Sequence, residues 1–144
     1  MAIKQISVFL ENKPGMLNGM TAVLAGAGID LRALSLAETK DFGIVRMIVD
    51  DVYQTATVLR ENGYVASMTP VVAVLIPDVV GGLNRVLTAL TEADVNLEYM
   101  YASLAGKDDD NAYMILRVED PASAETALRL AGFRIADQDA ISEM

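Results

Sequence analysis

The sequence predicts an α+β protein built as two consecutive β-α-β-β-α-β units, each an antiparallel sheet with its helices on one face. Three observations predict it: the chain repeats itself, each copy alternates strand-like and helix-like periods in one order, and Gly, Pro, Asn and Asp punctuate the same places in both. Displaced by 66 positions, the chain sets Gly15 over Gly81, Leu17 over Leu83, Asn18 over Asn84, Leu24 over Leu90, Ala27 over Ala93 and Leu31 over Leu97. Displaced by 69, it sets Val49 over Val118, Asp51 over Asp120, Leu59 over Leu128, Arg60 over Arg129 and Gly63 over Gly132. Self-similarity at a fixed period marks a duplicated unit. The three-residue step between the blocks falls in Gly106-Lys107-Asp108-Asp109-Asp110-Asn111, where the first copy has only Thr39-Lys40-Asp41. A hairpin tip absorbs such an insertion without disturbing the fold.

In the first copy Ile6, Val8 and Leu10 alternate with polar neighbours, the period of a half-buried strand. Asn12 then reads as a helix N-cap, with Pro14 in the first turn, where its missing N–H costs nothing. Leu17, Met20, Leu24 and Ala27 form the apolar face of that helix, and Gly26 with Gly28 closes it. The segments 29–38 and 44–49 are rich in β-formers and flank a polar turn, which predicts a hairpin. A second helix starts at Asp50 or Asp51, turns Val52, Ala56 and Leu59 inward and stops at Asn62-Gly63. A last strand begins at Tyr64.

The second copy repeats the order. Strand 71–76 leads to a cap at Asp78 and to a helix whose inward face is Leu83, Val86, Leu87, Leu90 and Ala93. Hairpin strands 96–105 and 112–118 follow. Asp120-Pro121 is a cap with a first-turn proline for a helix with Ala124, Leu128 and Ala131 inward, and a strand starts at Phe133. This order is the split β-α-β, ferredoxin-like arrangement. The seam near Met68 to Pro70 divides the chain into domains 1–69 and 70–144, each near the size at which a core is marginal alone, so the two are expected to lean on one another. Uncovered edge strands further predict a homodimer.

Composition removes whole classes of function. The 144 residues are 53% hydrophobic, and 20 acidic side chains against 11 basic ones give a net charge of −9. That balance excludes nucleic acid as a partner, because phosphate binding is largely Lys and Arg neutralisation. With no Cys and no His there is no disulfide, no zinc site, no thiol nucleophile and no imidazole base. The longest wholly apolar run, 71–76, suits a buried strand and falls far short of the roughly 20 residues that span a bilayer. No membrane segment and no secretion signal are expected, which places the protein in the cytoplasm. The run Asp108-Asp109-Asp110 lacks the alternating ligand spacing of a calcium loop and reads as a solvated tip. No catalytic residue, metal or cofactor is expected.

Ferredoxin-like units that bind RNA need stacked aromatics on the third strand, whereas that strand here is Gly43-Ile44-Val45-Arg46-Met47-Ile48-Val49. The informative segment is the loop after the first strand, Asn12-Lys13-Pro14-Gly15-Met16-Leu17, echoed as Asp78-Val79-Val80-Gly81-Gly82-Leu83. A glycine at a helix start lets a ligand approach the main chain, and the unpaired N–H groups with the positive end of the helix dipole attract a carboxylate. The side chain of Asn12 or Asp78 can accept from an α-amino group. Asp30 and Asn96, opening the second strand of each copy, are expected near the same end of the sheet, and Tyr99 and Tyr101 share a strand face that can line a pocket. The same residues also read as ordinary caps and turn glycines; as a cap, Asn12 predicts a loss of about 1 kcal/mol on truncation to Ala.

These loops, each followed by a short motif, Ala27-Gly28-Ile29-Asp30-Leu31 and Ala93-Asp94-Val95-Asn96-Leu97, resemble those of the ACT domain family, and the resemblance covers essentially the whole chain as two copies. It implies a non-catalytic regulatory module that binds an amino acid at the glycine loops between ACT domains, with Pro14, Gly15, Met16, Leu17, Gly81, Gly82 and Leu83 among the contacts. It also implies a metabolic enzyme as partner. The alternative is a regulatory subunit similar to the small subunits of acetolactate synthase, which usually continue into a different C-terminal region. In the second copy Val80 and Asp94 stand where the first has Pro14 and Gly28, so the two loops need not be equivalent.

Overall fold

The computed structural model describes residues 2–38, 40–103 and 111–142. The acidic run 108–110 with its surrounding loop, and Thr39 of the first hairpin, lie outside the described residues. Two compact units divide the chain, one of Lys4–Thr69 and one of Pro70–Met144 together with Met1–Ile3.

The first unit contains strand β1 (Ile3–Glu11), helix α1 (Met16–Gly26), strands β2 (Leu31–Glu38) and β3 (Phe42–Val49) and helix α2 (Val52–Glu61). Strand β3 lies between β2 and β1, antiparallel to both, with Glu38 opposite Gly43 and Glu11 opposite Phe42. Ile6, Val8 and Leu10 of β1 pack with Met20 and Leu24 of α1 and with Val52, Ala56 and Leu59 of α2 in one core. This is the period-2 face of a strand meeting the period-3.6 faces of two helices. Burial on β1 exceeds the half-buried expectation, since Gln5 and Ser7 are buried as well. They tolerate burial because the Gln5 amide donates to Ser7 Oγ at 3.0 Å.

Strand β4 (Val65–Pro77) crosses the boundary. Where the sequence suggests one strand from Tyr64 and another at 71–76, the chain forms a single strand, because Pro70 has a φ compatible with extended backbone and only its missing N–H interrupts the donor row. The second unit adds α3 (Gly82–Glu92), β5 (Leu97–Ala102), β6 (Asn111–Val118), α4 (Pro121–Leu130), β7 (Arg134–Ala136) and a short helix α5 (Gln138–Ser142) that the pattern did not announce. Its strands run β7-β4-β6-β5, and Val72, Val74, Ile76, Val86, Leu90 and Leu128 centre its core. Both units are ferredoxin-like, with curled antiparallel sheets and helices on one side.

Three residues expected to point inward do not. Leu83 is exposed because the buried stripe of α3 is Gly82, Val86 and Leu90, and a residue one position on is turned by about 100°. Ala93 and Ala131 are exposed because each occupies a C-cap, where the chain is leaving the helix. No helix among the described residues is long and apolar enough to cross a membrane.

Candidate functional site

The end of β1 and the start of α1 are joined by a loop whose conformation depends on one glycine. Gly15 stands at the N-cap of α1 with φ 84° and ψ −9°, and no side chain caps the helix. In the second unit Gly81 takes φ 83° and ψ 0° before α3, again with no side-chain cap. This left-handed conformation is cheap only for glycine, and a Cβ at either position would meet nothing within 4 Å, so the backbone is open to an approaching group.

The main-chain bonds of the two loops correspond. Lys13 N–H donates to Glu11 O and Met16 N–H to Lys13 O in the first loop; Val79 N–H donates to Pro77 O and Gly82 N–H to Val79 O in the second. The next acceptor inside each helix is reached by Gly19, which donates to Gly15 O, and by Arg85, which donates to Gly81 O. The N–H groups of Leu17 and Asn18, and of Leu83 and Asn84, find no acceptor among the described residues. They are the orphan donors of a helix start, at the positive end of its dipole.

Asn12 and Asp78 are not N-caps, contrary to the expectation from their residue types. The helices begin at Met16 and Gly82, four residues later, because the left-handed glycine reverses the chain in between. Freed from capping, Asn12 Nδ2 donates to Glu38 Oε2 at 3.4 Å, and Asn12 N–H donates to Asp41 O. Lys13 pairs with Glu11 at 2.7 Å, and the hydrogen bond and charge of Glu11 raise the lysine above its ordinary pKa. The loop therefore keeps an ammonium already matched by a carboxylate, beside Glu38. Pro14 and Val80 occupy the same exposed turn position in the two loops, while Met16 and Leu17 are half-buried against the core. Gly82 is different: a Cβ there would lie 2.4 Å from Pro77 O, so this glycine is required by close packing against the end of β4.

Asp30 and Asn96 do not join the loops. Leu31 is paired with Val49 and Leu97 with Val118, whereas the loops lie by the ends marked by Glu11 opposite Phe42 and Pro77 opposite Asn111. A strand that follows a helix starts at the end of the sheet where the helix finished, and eight residues of strand separate the ends by about 25 Å. There Asp30 pairs with Arg32 at 3.1 Å and its N–H donates to Asp50 Oδ1. Asn96 lines a cleft of about 270 Å³ with Asp94, Glu119, Asp120 and Ser123. Tyr99 and Tyr101 pair with Arg117 and Ile115, on the face of their sheet away from the core residues Met100 and Leu116; Tyr101 is buried.

Sequence reasoning passed over Glu11, Glu38 and Asp41, which surround Asn12. The signal was available in the topology: β2 and β3 must turn at the same end at which β1 finishes, so the tip of their hairpin has to meet the loop. The result is a set of main-chain donors suited to a carboxylate next to carboxylates and carbonyls suited to an ammonium.

The sequence matches the ACT domain pair over residues 1–144. The crystal structure of protein BT0572 from Bacteroides thetaiotaomicron superposes with a TM-score of 0.92 at 34% identity, over 100% of this chain and 98% of that one. The ligand-free regulatory subunit of aspartate kinase from Thermus thermophilus superposes at 0.66 with 18% identity, over 90% of this chain and 92% of that one. The corresponding subunit from Thermus flavus gives 0.58 at 19% identity, over 89% and 91%. At those identities the Thermus likeness is one of fold. No curated protein matches the sequence. With the family match spanning the full chain and both units carrying the same fold, this chain belongs to the ACT domain pair family of regulatory ligand-binding modules.

Proposed function

We propose that this ACT domain pair is a non-catalytic sensor that takes a small zwitterion, an amino acid, at the glycine loops opening α1 and α3. The observation that carries the reading is the doubled loop. Two helix starts hold a left-handed glycine with φ values of 84° and 83°, lack a side-chain cap, and leave the same pair of N–H groups without an acceptor among the described residues. A carboxylate satisfies such donors, and the helix dipole favours it. The ammonium falls to Glu38 and its neighbours in the first loop and to Asp78 in the second. The output of occupancy is a change in a metabolic enzyme bound to the module; the Thermus proteins named above are regulatory subunits of such an enzyme.

The test is a thermal-shift screen of the twenty amino acids, in which a ligand at 100 times its Kd adds about 2.7 kcal/mol to folding stability. Calorimetry on variants then locates the site. Gly15→Val and Gly81→Val are expected to abolish binding at their own loop by filling the approach. Gly28→Val is the control: Gly28 also has positive φ, 74°, but closes α1 at the far end of the sheet, beside Asp30, so it is expected to lose stability and keep affinity. Stabilisation by no amino acid, or equal affinity in wild type and both loop variants, defeats the reading.

A further inference from the structure

We propose that the shallow groove between the C-terminal end of α3 and the outer face of α4 is a docking site for an amphipathic helix of a protein partner, one that carries an apolar residue and, seven positions later, a lysine or arginine. The groove encloses about 390 Å³ and is lined by Ala93, Ala122, Ser123, Thr126, Ala127 and Leu130. Ser123, Thr126, Ala127 and Leu130 form one stripe along α4 at helical spacing, and Leu130 at its end is 85% exposed. The hydroxyls of the stripe are engaged locally: Ser123 donates to Asp120 Oδ2 at 2.7 Å and Thr126 to Ala122 O at 3.0 Å. What the groove offers a partner is therefore mostly apolar. The first copy closes the same place. It has Tyr53, Gln54 and Glu61 where the second has Ala122, Ser123 and Leu130, and its Gln54 Nε2 reaches across to Ala27 O at 3.3 Å, tying the end of α1 to α2. In the second copy two long side chains are small ones, and a carboxylate is an exposed leucine.

Charge decides the occupant. At the N-terminal end of α4 the groove runs into the cleft of Asp94, Glu119 and Asp120, with which it shares Ala93 and Ser123. None of these three carboxylates pairs with a basic side chain among the described residues; Arg117 and Arg129 hold Glu98 and Glu125 instead. The step from Ser123 to Leu130 is about 10 Å along the axis of α4. A helix lying in the groove therefore covers Leu130 with one residue and reaches the carboxylates with the residue seven positions away on the same face. The cation belongs at the C-terminal end of the partner helix, where that helix's own dipole favours it, so the partner runs antiparallel to α4. Anionic partners are repelled by the same three carboxylates. The proposal rests on the function proposed above only in giving the module a protein partner, and it makes no use of ligand at the glycine loops.

The test uses a stapled helical peptide of about 15 residues bearing Leu and, seven positions later, Lys. It is titrated without any amino acid into the isotope-labelled full-length chain and followed by amide NMR. Shifts are expected at the amides around Ala93, Ala122, Thr126 and Leu130, saturating with a Kd of roughly 100 µM. Two variants give the second copy the residues of the first: Leu130→Glu, and Ala122→Tyr combined with Ser123→Gln. All three positions are exposed, so both variants are expected to keep the wild-type spectrum away from the groove and to bind the peptide at least about tenfold more weakly. Replacing the peptide's Lys by Glu is expected to do the same. No shift at about 1 mM peptide, equal affinity for the Glu peptide, or wild-type affinity in both variants overturns the proposal. So do the same shifts on concentrating the protein alone, which would assign the face to a second copy. Failure here leaves the glycine loops untouched, because their screen reads stabilisation by amino acids.

Discussion

The helices of each unit begin in two different ways. Helices α2 and α4 are capped by aspartates: Asp51 Oδ1 accepts from Gln54 N–H at 3.0 Å and Asp120 Oδ1 from Ser123 N–H at 3.2 Å, both from extended backbone with φ −131° and −126°. Helices α1 and α3 begin at a left-handed glycine with no side-chain cap. Residues of capping type, Asn12 and Asp78, stand just upstream and are not used for it. The contrast shows that an uncapped start is not a shortage of suitable residues. Each unit has one closed and one open helix start, and the open one leaves main-chain donors without an acceptor among the described residues.

The largest expected effect comes from breaking the second open loop by packing rather than by chemistry. Gly82→Ala would force a Cβ against Pro77 O, 2.4 Å away, and overpacking against main chain costs about 3 kcal/mol. Met16, its counterpart in the first loop, already carries a side chain, so Met16→Ala is expected to cost less. Urea denaturation of both variants checks the difference.

Next in size is the contrast between caps. Asp51→Ala should lose about 1 kcal/mol, whereas Asn12→Ala and Asp78→Ala, which remove no cap, should stay within about 0.5 kcal/mol of wild type. Equal losses in the three denaturation curves would mean that the open starts are capped in solution after all.

Asp94 sharpens the comparison between copies. It holds φ 57° where Gly28 of the first copy holds 74°, and a non-glycine residue there is strained by about 1 kcal/mol, less for Asp, which tolerates the conformation. Asp94→Gly should therefore raise stability by a few tenths of a kcal/mol, seen as a higher Tm; a lower Tm would show that the Asp94 side chain contributes contacts that outweigh the strain.

The smallest effect is a pH dependence. Hydrogen bonds from the Ser123 hydroxyl and then from its N–H hold the Asp120 carboxyl below its ordinary value of 3.8. The folded state therefore binds this proton less readily than the unfolded chain. The contribution of the cap is complete above 3.8 and is lost as the pH falls through the lower folded value. Asp120→Asn should flatten the acid limb of a Tm-against-pH curve in that window, and an unchanged limb would remove Asp120 from the acid response.

Much of this was legible along the chain because it is local. The duplication, the alternation of Ile6, Val8 and Leu10, the caps at Asp51 and Asp120 and the stop at Asn62-Gly63 depend on residues within one or two turns of each other. The pairing of Gly15 with Gly81 marked both loops, and the structure gives them φ values within a degree of each other. What local pattern misread was the role of Asn12 and Asp78, since a residue four positions ahead of a helix looks like a cap until the glycine between them is known to turn left-handed.

The sequence by itself determined the order of elements, the two-fold repetition and the glycine positions, because backbone propensity and hydrophobic period act over a few residues. Only the tertiary structure decided which end of the sheet each residue occupies. Asp30 and Asn96 follow their helices to the far end, and Glu38 and Asp41 return on the hairpin to meet Asn12, through strand register set by the burial of whole faces rather than by any one segment.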